Sequence, residues 1–361
     1  MTVRLNARAL NRATLARQFL LERTELPVLD TVAHLGGLQA QESQEPFIGL
    51  WSRRIAFDPD ELSRLLEERD LVRLHLMRRT VHLVTAADAR NWRPRHHTLL
   101  CQRTFGTYRR ELAGIDLDEL AAQAAALMAD GQGRSLGEIG RALAGHWPGP
   151  APRILGELVV AALVPMVQLP PRGTWRSTAG ARYLSLSTWL GRSAPPDAAS
   201  ATGSAGEDLV RRYLRAFGPA TSTDLRAWCG LAGLPPAVAA IRDELISFRD
   251  HRGRELLDLA DAPRPEPDTP APVRFLPAFD NAILGYHDRS RIIDDVHRGL
   301  SVAGERVVLV DGRVSATWTT AAGTIAVAPL RDFTRAERTE VAQEAEHLAT
   351  FLSDSTPDLP R

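Results

Sequence analysis

The stretch Gly218-Pro219-Ala220-Thr221-Ser222-Thr223-Asp224-Leu225-Arg226-Ala227-Trp228-Cys229-Gly230-Leu231-Ala232-Gly233-Leu234-Pro235-Pro236 decides the fold. Gly218-Pro219 stops a helix predicted over 205–217, and Thr221 or Ser222 caps the next, over 221–229. The turn Gly233-Leu234-Pro235-Pro236 leads into a third helix over 236–246. Ile246 to Phe248 and Leu256 to Leu259 then flank Asp250-His251-Arg252-Gly253-Arg254, as two strands flank a wing. Helix, tight turn, helix, helix and β-wing make a winged helix-turn-helix.

The same plan recurs upstream, and a repeated unit argues for a repeat architecture. Helices are predicted over 7–23, 28–38 and 60–69, the last capped by Asp58 or Asp60, with a third apolar segment over 46–56 led by Pro46. Leu71 to Val84 alternates and reads as strands. A second block follows: helices over 117–129, from Ser135 with Glu138 as a capping box, and over 151–164, then strands at 166–169 and 182–187. Residues 191–206 and the Pro-rich, acidic 261–272 read as linkers. Beyond them come short strands at 273–275, 307–310, 314–318 and 324–328, with Asp311-Gly312 as a hairpin turn, and a closing helix over about 334–352. The expected class is α+β: three tandem winged helix-turn-helix units at 1–112, 113–192 and 204–260, then a small β-rich domain at 272–361.

Composition narrows the function. The chain has 361 residues, enough for two or three compact units, and 44% of them are hydrophobic. Net charge is zero, but residues 1–110 hold 18 arginines against 12 acids, so the first third is the electropositive part. All 44 basic residues are arginine. Without lysine there is no side-chain Schiff base and no G-x-x-x-x-G-K phosphate loop. Cys101 and Cys229 suggest neither a disulfide framework nor a metal site, and they fit a reducing cytoplasm. The longest apolar run, Val159 to Val167, is broken by Pro165 and is too short for a bilayer. The arginine-rich N-terminus could mimic a transit peptide, but its leucines suit a first helix better.

Three features could carry chemistry. Gln39-Ala40-Gln41 follows Gly36-Gly37 and precedes Gln44 and Pro46. In an extended segment residues i and i+2 point the same way, so Gln39 and Gln41 could aim two amides at one ligand; a polar surface turn is the plainer reading. Residues 89–110 carry Arg90, Arg93, Arg95, Arg103, Arg109 and Arg110 with His96 and His97, interleaved with Trp92, Phe105 and Tyr108, and no acid. Arginines for phosphates beside planar groups for bases suit nucleic acid, though a solvated face would look similar. On a predicted strand, Arg78, Thr80 and His82 share one face and Arg79 takes the other. No H-E-x-x-H, nucleophile elbow or dinucleotide fingerprint occurs, and no metal or cofactor is expected.

Leu38-Gln39-Ala40-Gln41, Gly49-Leu50-Trp51-Ser52-Arg53 and Met77-Arg78-Arg79-Thr80-Val81-His82-Leu83 resemble the N-terminal signature of the AlkZ-like winged-helix DNA glycosylases. Leu276-Pro277-Ala278-Phe279-Asp280, Tyr286-His287-Asp288-Arg289 and Gly312-Arg313-Val314-Ser315-Ala316-Thr317-Trp318 are similar to that family's C-terminal part, in the same order. The resemblance implies three winged helices curved into a DNA-binding cleft. It implies Gln39 and Gln41 as the catalytic pair, and hydrolysis of the N-glycosidic bond of an alkylated purine. Arg78, Arg79 and His82, with Arg90, Arg93, Arg95, His96 and His97, are then expected to contact DNA, and Trp51, Thr80, Asp280 and Arg289 to line the cleft. Two departures stand out: Arg79 occupies the place of the usual glycine in the R-G-T-x-H stretch, and the middle residue of the catalytic motif is the small Ala40. The expected partner is double-stranded DNA carrying alkylated bases, including bulky adducts or interstrand crosslinks from a genotoxic natural product. The enzyme is expected to be monomeric, cytoplasmic and nucleoid-associated. A non-catalytic winged-helix regulator is the alternative.

Overall fold

The computed structural model describes residues 3–191, 204–321 and 324–354. In the first block, helices α1 (Ala7–Arg17) and α2 (Val28–His34) lead into a short strand β1 (Leu38–Gln39). Helices α3 (Glu45–Trp51) and α4 (Pro59–Glu67), strands β2 (Leu71–His75) and β3 (Val81–Thr85), and the long α5 (Ala86–Thr107) complete it. The second block holds α6 (Leu117–Leu127), α7 (Leu136–Ala144), α8 (Pro152–Leu158), β4 (Met166–Gln168), β5 (Tyr183–Ser185) and α9 (Leu186–Leu190). The third is α10 (Ser204–Phe217), α11 (Ser222–Cys229), α12 (Leu234–Ala240), β6 (Leu245–Arg249) and β7 (Glu255–Leu259). The rest is β8 (Arg274–Leu276), α13 (Asn281–Leu284), α14 (Arg298–Ala303), β9 (Val307–Val310), β10 (Arg313–Ala321), β11 (Thr324–Pro329) and α15 (Arg335–Asp354). The architecture is mixed α and β. Most of the linker expected over 191–206 lies outside the described residues.

In the third block, Thr221 and Asp224 form a reciprocal capping box, and Gly230 and Gly233 take left-handed φ of 78° and 79° to turn α11 into α12. The helix expected over 236–246 is displaced. It begins at Leu234, because Pro235 and Pro236 fit a first turn that has no partner for their missing N–H, and it stops before β6. The strands of the first and second blocks pair into one antiparallel sheet in the order β1-β3-β2-β4-β5. The C-terminal strands make a second antiparallel sheet, β11-β10-β9-β8, and β6-β7 stand as a hairpin. Asp311 and Gly312, with φ of 48° and 77°, make the turn from β9 to β10.

Helix α1 ties the parts together. Arg17 forks onto Asp258 of β7 at 2.6 and 2.8 Å, and Asn11 donates to the carbonyls of Arg291 and Gly312. The proline-rich stretch is fastened along the same helix, since Arg8, Arg12 and Arg17 donate to the carbonyls of Pro267, Thr269 and Pro263. A core of Trp92, Trp228, Tyr213, Phe217 and Tyr286 joins α5 and the third block behind β2 and β3. The site is built at the Val81–His82 end of β3.

Candidate active site

Gly36 and Gly37, with φ of 67° and 88°, end α2 and swing the chain into β1. A Cβ on Gly37 would sit 2.6 Å from Val84 Cγ1, so only glycine lets the strand approach β3 this closely. Gln39 lies opposite His82, and the Ala40 amide donates to the Val81 carbonyl at 2.8 Å. The chain then leaves the sheet, but Gln41 continues the ladder with its side chain: its Oε1 accepts from the Val81 amide at 3.2 Å. Gln39 is buried and Gln41 exposed. The Gln39 oxygen accepts from Arg78 Nη2 at 2.9 Å. Both amides therefore have their oxygens fixed by donors, and each oxygen keeps a second lone pair.

The Arg78 side chain fills the angle between three parts of the chain. Besides Gln39 it reaches Asn281 Oδ1 at 2.8 Å and the Trp228 carbonyl at 2.7 Å. All three acceptors are neutral. Burial, then Arg289, brings its pKa down to about 10. His82 donates from Nδ1 to the Thr80 carbonyl at 3.0 Å, leaving its Nε2 lone pair turned to Arg78. Burial, then Arg78, pushes its pKa far below the usual histidine range, so the ring is neutral.

Beneath the motif lies a second cation without a carboxylate. Arg73 on β2 is fully buried, and Nη2 donates to the Ala40 carbonyl at 2.8 Å. Its Nε and Nη1 have no hydrogen-bond partner among the described residues. Burial, then Arg172, pulls its pKa to about 10. Gly173 presses on the guanidinium, and a Cβ there would come within 2.7 Å of Nη1. The third glutamine, Gln44, clasps this β4–β5 connection onto the motif loop. Its Nε2 donates to the Thr174 carbonyl at 3.0 Å and its Oε1 accepts from the Arg176 amide at 2.7 Å.

Several expected contacts change place. Arg78, Arg79 and Thr80 are not on a strand with alternating faces. Residues 77–79 form a 3-10 turn between β2 and β3, with Arg78 and Arg79 at φ of 56° and 65°. Residues 86–107 form one helix, and its periodicity turns two of the five DNA contacts expected on it, Arg93 and His96, inward. Arg93 is buried and donates to the Ala162 carbonyl, and His96 is buried between the carbonyls of Trp92 and Cys229. Neither can touch a phosphate, and His82 is equally buried. Trp92 is core, and Phe105 and Tyr108 pack on the second block. Arg90 is half-buried and donates to the Leu190 carbonyl, and Arg95 is half-buried too. Arg79 donates to Thr107 Oγ1 and His97 is exposed, as are Arg103, Arg109 and Arg110. Of the expected cleft residues, Asp280 is taken by a buried fork with Arg53, and Trp51 stacks on Phe351 at 5.9 Å. Thr80 donates to the Met77 carbonyl, and Arg289 is half-buried near Arg78. Asn281 and Arg73 were missed. An arginine inside the apolar Leu71-Val72-Arg73-Leu74 was the available signal for the second. Among the described residues no cluster of three His, Cys, Asp or Glu could hold a metal ion, and no helix is long and apolar enough to cross a membrane.

Comparison with known proteins gives a consistent assignment. The interstrand DNA cross-link repair glycosylase of Streptomyces sahachiroi is 27% identical over 365 residues, covering 92% of this chain and 93% of that protein. The solved structure of Streptomyces sahachiroi DNA glycosylase AlkZ matches with a TM-score of 0.74 at 23% identity, over 96% of each chain. That match defines a fold shared with a DNA glycosylase. The family model for DNA glycosylase AlkZ-like proteins matches residues 32–351, and the chain belongs to that family.

Proposed function

We propose that the protein is a monofunctional DNA glycosylase. It hydrolyses the N-glycosidic bond of a purine alkylated at N7 or N3 in double-stranded DNA and leaves an abasic site. The observation that carries this reading is the pair of oriented amides of Gln39 and Gln41, set beside neutral His82 and Asn281. A base alkylated at ring nitrogen is already cationic, so it departs with the bonding electron pair as a neutral molecule and needs no proton. What remains is to hold a water and to face the positive charge that grows on the sugar. A water donating to the free lone pairs of the two amide oxygens has its own lone pairs turned outward, toward an anomeric carbon. Those oxygens also present negative dipole ends to an oxocarbenium-like sugar. The new C–O bond forms as the C–N bond breaks, and the surplus water proton passes to solvent. An amide is too weak a base to take that proton itself.

The chain has no lysine, so strand cleavage through a side-chain Schiff base is outside its chemistry. We read the three helix-and-hairpin blocks as tandem winged helices of a monomer, curved into a cleft open enough for bulky adducts and crosslinks. A crosslinked base cannot readily be flipped into an enclosed pocket. The relative's name, which specifies interstrand cross-link repair, supports this substrate class. The deciding experiment is single-turnover release of N7-methylguanine from a duplex, scored as alkali-labile abasic sites. Wild type should cleave, and Gln41→Ala should lose about 100-fold or more. Tight DNA binding with no abasic product from wild type would return the non-catalytic regulator reading.

A further inference from the structure

Three guanidiniums are linked to Gln39 or to the segment that follows Asn281. Arg78 bonds to Gln39, Asn281 and the Trp228 carbonyl, with neutral His82 Nε2 at 3.5 Å. Arg289 donates from Nη1 to Ser301 Oγ at 2.8 Å, and Arg298 donates from Nη2 to the His287 carbonyl at 3.2 Å. None of the three has an ion pair among the described residues. The cause is not a shortage of carboxylates in the neighbourhood. Asp280 is held by Arg53, Asp288 by Arg254 at 2.5 Å and Arg252 at 3.3 Å, and Asp294 by Arg313. Those three acids are paired with other arginines, and Arg78, Arg289 and Arg298 are left without an ion pair among the described residues.

They are also tied to one stretch of chain, 281–301, through Asn281, His287 and Ser301, so they stand as a row. Exposure grades along it: Arg298 is exposed, Arg289 half-buried, and Arg78 half-buried against Gln39. The charges feel one another, since Arg289 depresses the pKa of Arg78 and Arg298 that of Arg289, after burial in both cases. Like charges gathered without a counterion carry an electrostatic cost that a bound anion removes. Guanidinium forks match the oxygen geometry of a phosphodiester.

Building on the glycosylase reading, we propose that Arg289 and Arg298 form a phosphate clamp that seats the DNA backbone beside the nucleotide presented to Gln39 and Gln41. Arg78 closes the inner end of the row, where its hydrogen bonds to Gln39 and Asn281 already place it. The clamp takes a backbone phosphate whatever base is attached, so it acts on undamaged duplex too.

The test is fluorescence anisotropy of an undamaged duplex titrated with the full-length protein at several salt concentrations. Arg298→Gln and Arg289→Gln should each flatten the plot of log K against log salt by about 0.9, the value for one lost phosphate contact. Arg64→Gln, an exposed arginine paired to Glu68 on α4, should leave the slope unchanged. Unaltered thermal transitions show that the variants are folded; the exposed Arg298 keeps the test decisive if Arg289→Gln is not. A slope unaffected by Arg298→Gln overturns the clamp. So does stabilisation of the wild type by inorganic phosphate at constant ionic strength that Arg298→Gln abolishes while the DNA slope stays unchanged, since the site would then belong to a free anion. Release of N7-methylguanine is measured in parallel. Excision with unchanged slopes sinks the clamp and leaves the glycosylase, and flattened slopes without excision do the reverse.

Discussion

The seam around α1 and the surroundings of Gln39 both bury arginines, and they treat them in opposite ways. At the seam, Arg17 and Asp258 are both wholly inaccessible and joined by two hydrogen bonds, and Arg53 and Asp280 repeat the arrangement. At the site, Arg73 and Arg78 meet only neutral acceptors among the described residues, and Arg73 leaves its Nε and Nη1 without a partner there. Breaking a buried pair strands a charge, whereas removing a charge that was never paired removes a cost. The seam therefore holds the blocks together, while the candidate site tolerates a cost that the proposed function would account for.

The largest expected effect tests the seam. Asp258→Asn strands Arg17 and should lower the unfolding free energy by about 3–5 kcal/mol in urea denaturation. A loss under 1 kcal/mol would erase the distinction. Next comes acid. His82 and His75 lie on the site's strands, and burial depresses both pKa values, His75 to about 4. The unfolded chain binds protons below about 6.5 and the folded chain does not, so stability is full above that pH and is lost as pH falls toward 4. Each histidine contributes about 1.4 kcal/mol per pH unit in that window. Urea midpoints taken from pH 7.5 to 5 should show the decline, and His75→Asn should make it shallower. Third, Arg73→Met should leave the melting temperature equal or higher and yet slow excision about tenfold, by freeing the Ala40 carbonyl. In a Gln41→Ala background the same change should do nothing further; an additive loss would make Arg73 a merely structural residue. Smallest is Arg79→Gly, which relieves a left-handed residue and should add about 1 kcal/mol of stability. An unchanged midpoint would mean that the turn holds no strain.

Arg79 also shows what the sequence made legible and what it did not. A glycine is usual at this place because the turn needs positive φ, and an arginine there carries no sign of it, so the segment read as strand. The third block was legible because its signals are local: a capping box, two turn glycines and two prolines at a helix start. Gly36 and Gly37 likewise marked the entry into β1, whereas the choice between strand and turn at Gln39-Ala40-Gln41 stayed open, and the structure divides it: Gln39 ends the strand and Gln41 lies in an exposed bend. The inward turn of Arg93 and His96 was not, since it depends on which side of α5 meets the third block. Pairing of the first two blocks into one sheet and the contacts of Arg78 with Asn281 join residues far apart in the chain, which no window of sequence displays.

The side chain of Gln41 occupies the place where a backbone carbonyl would accept the Val81 N–H. Its aim is thus inherited from the pleat: shift the strand by a single residue and the amide points at the other side of the sheet. A reactive group is ordinarily held by neighbours that can be exchanged one at a time. On the proposed glycosylase reading, the alignment of the chemistry is a property of how two strands were zipped, settled when the chain folds and before any DNA arrives.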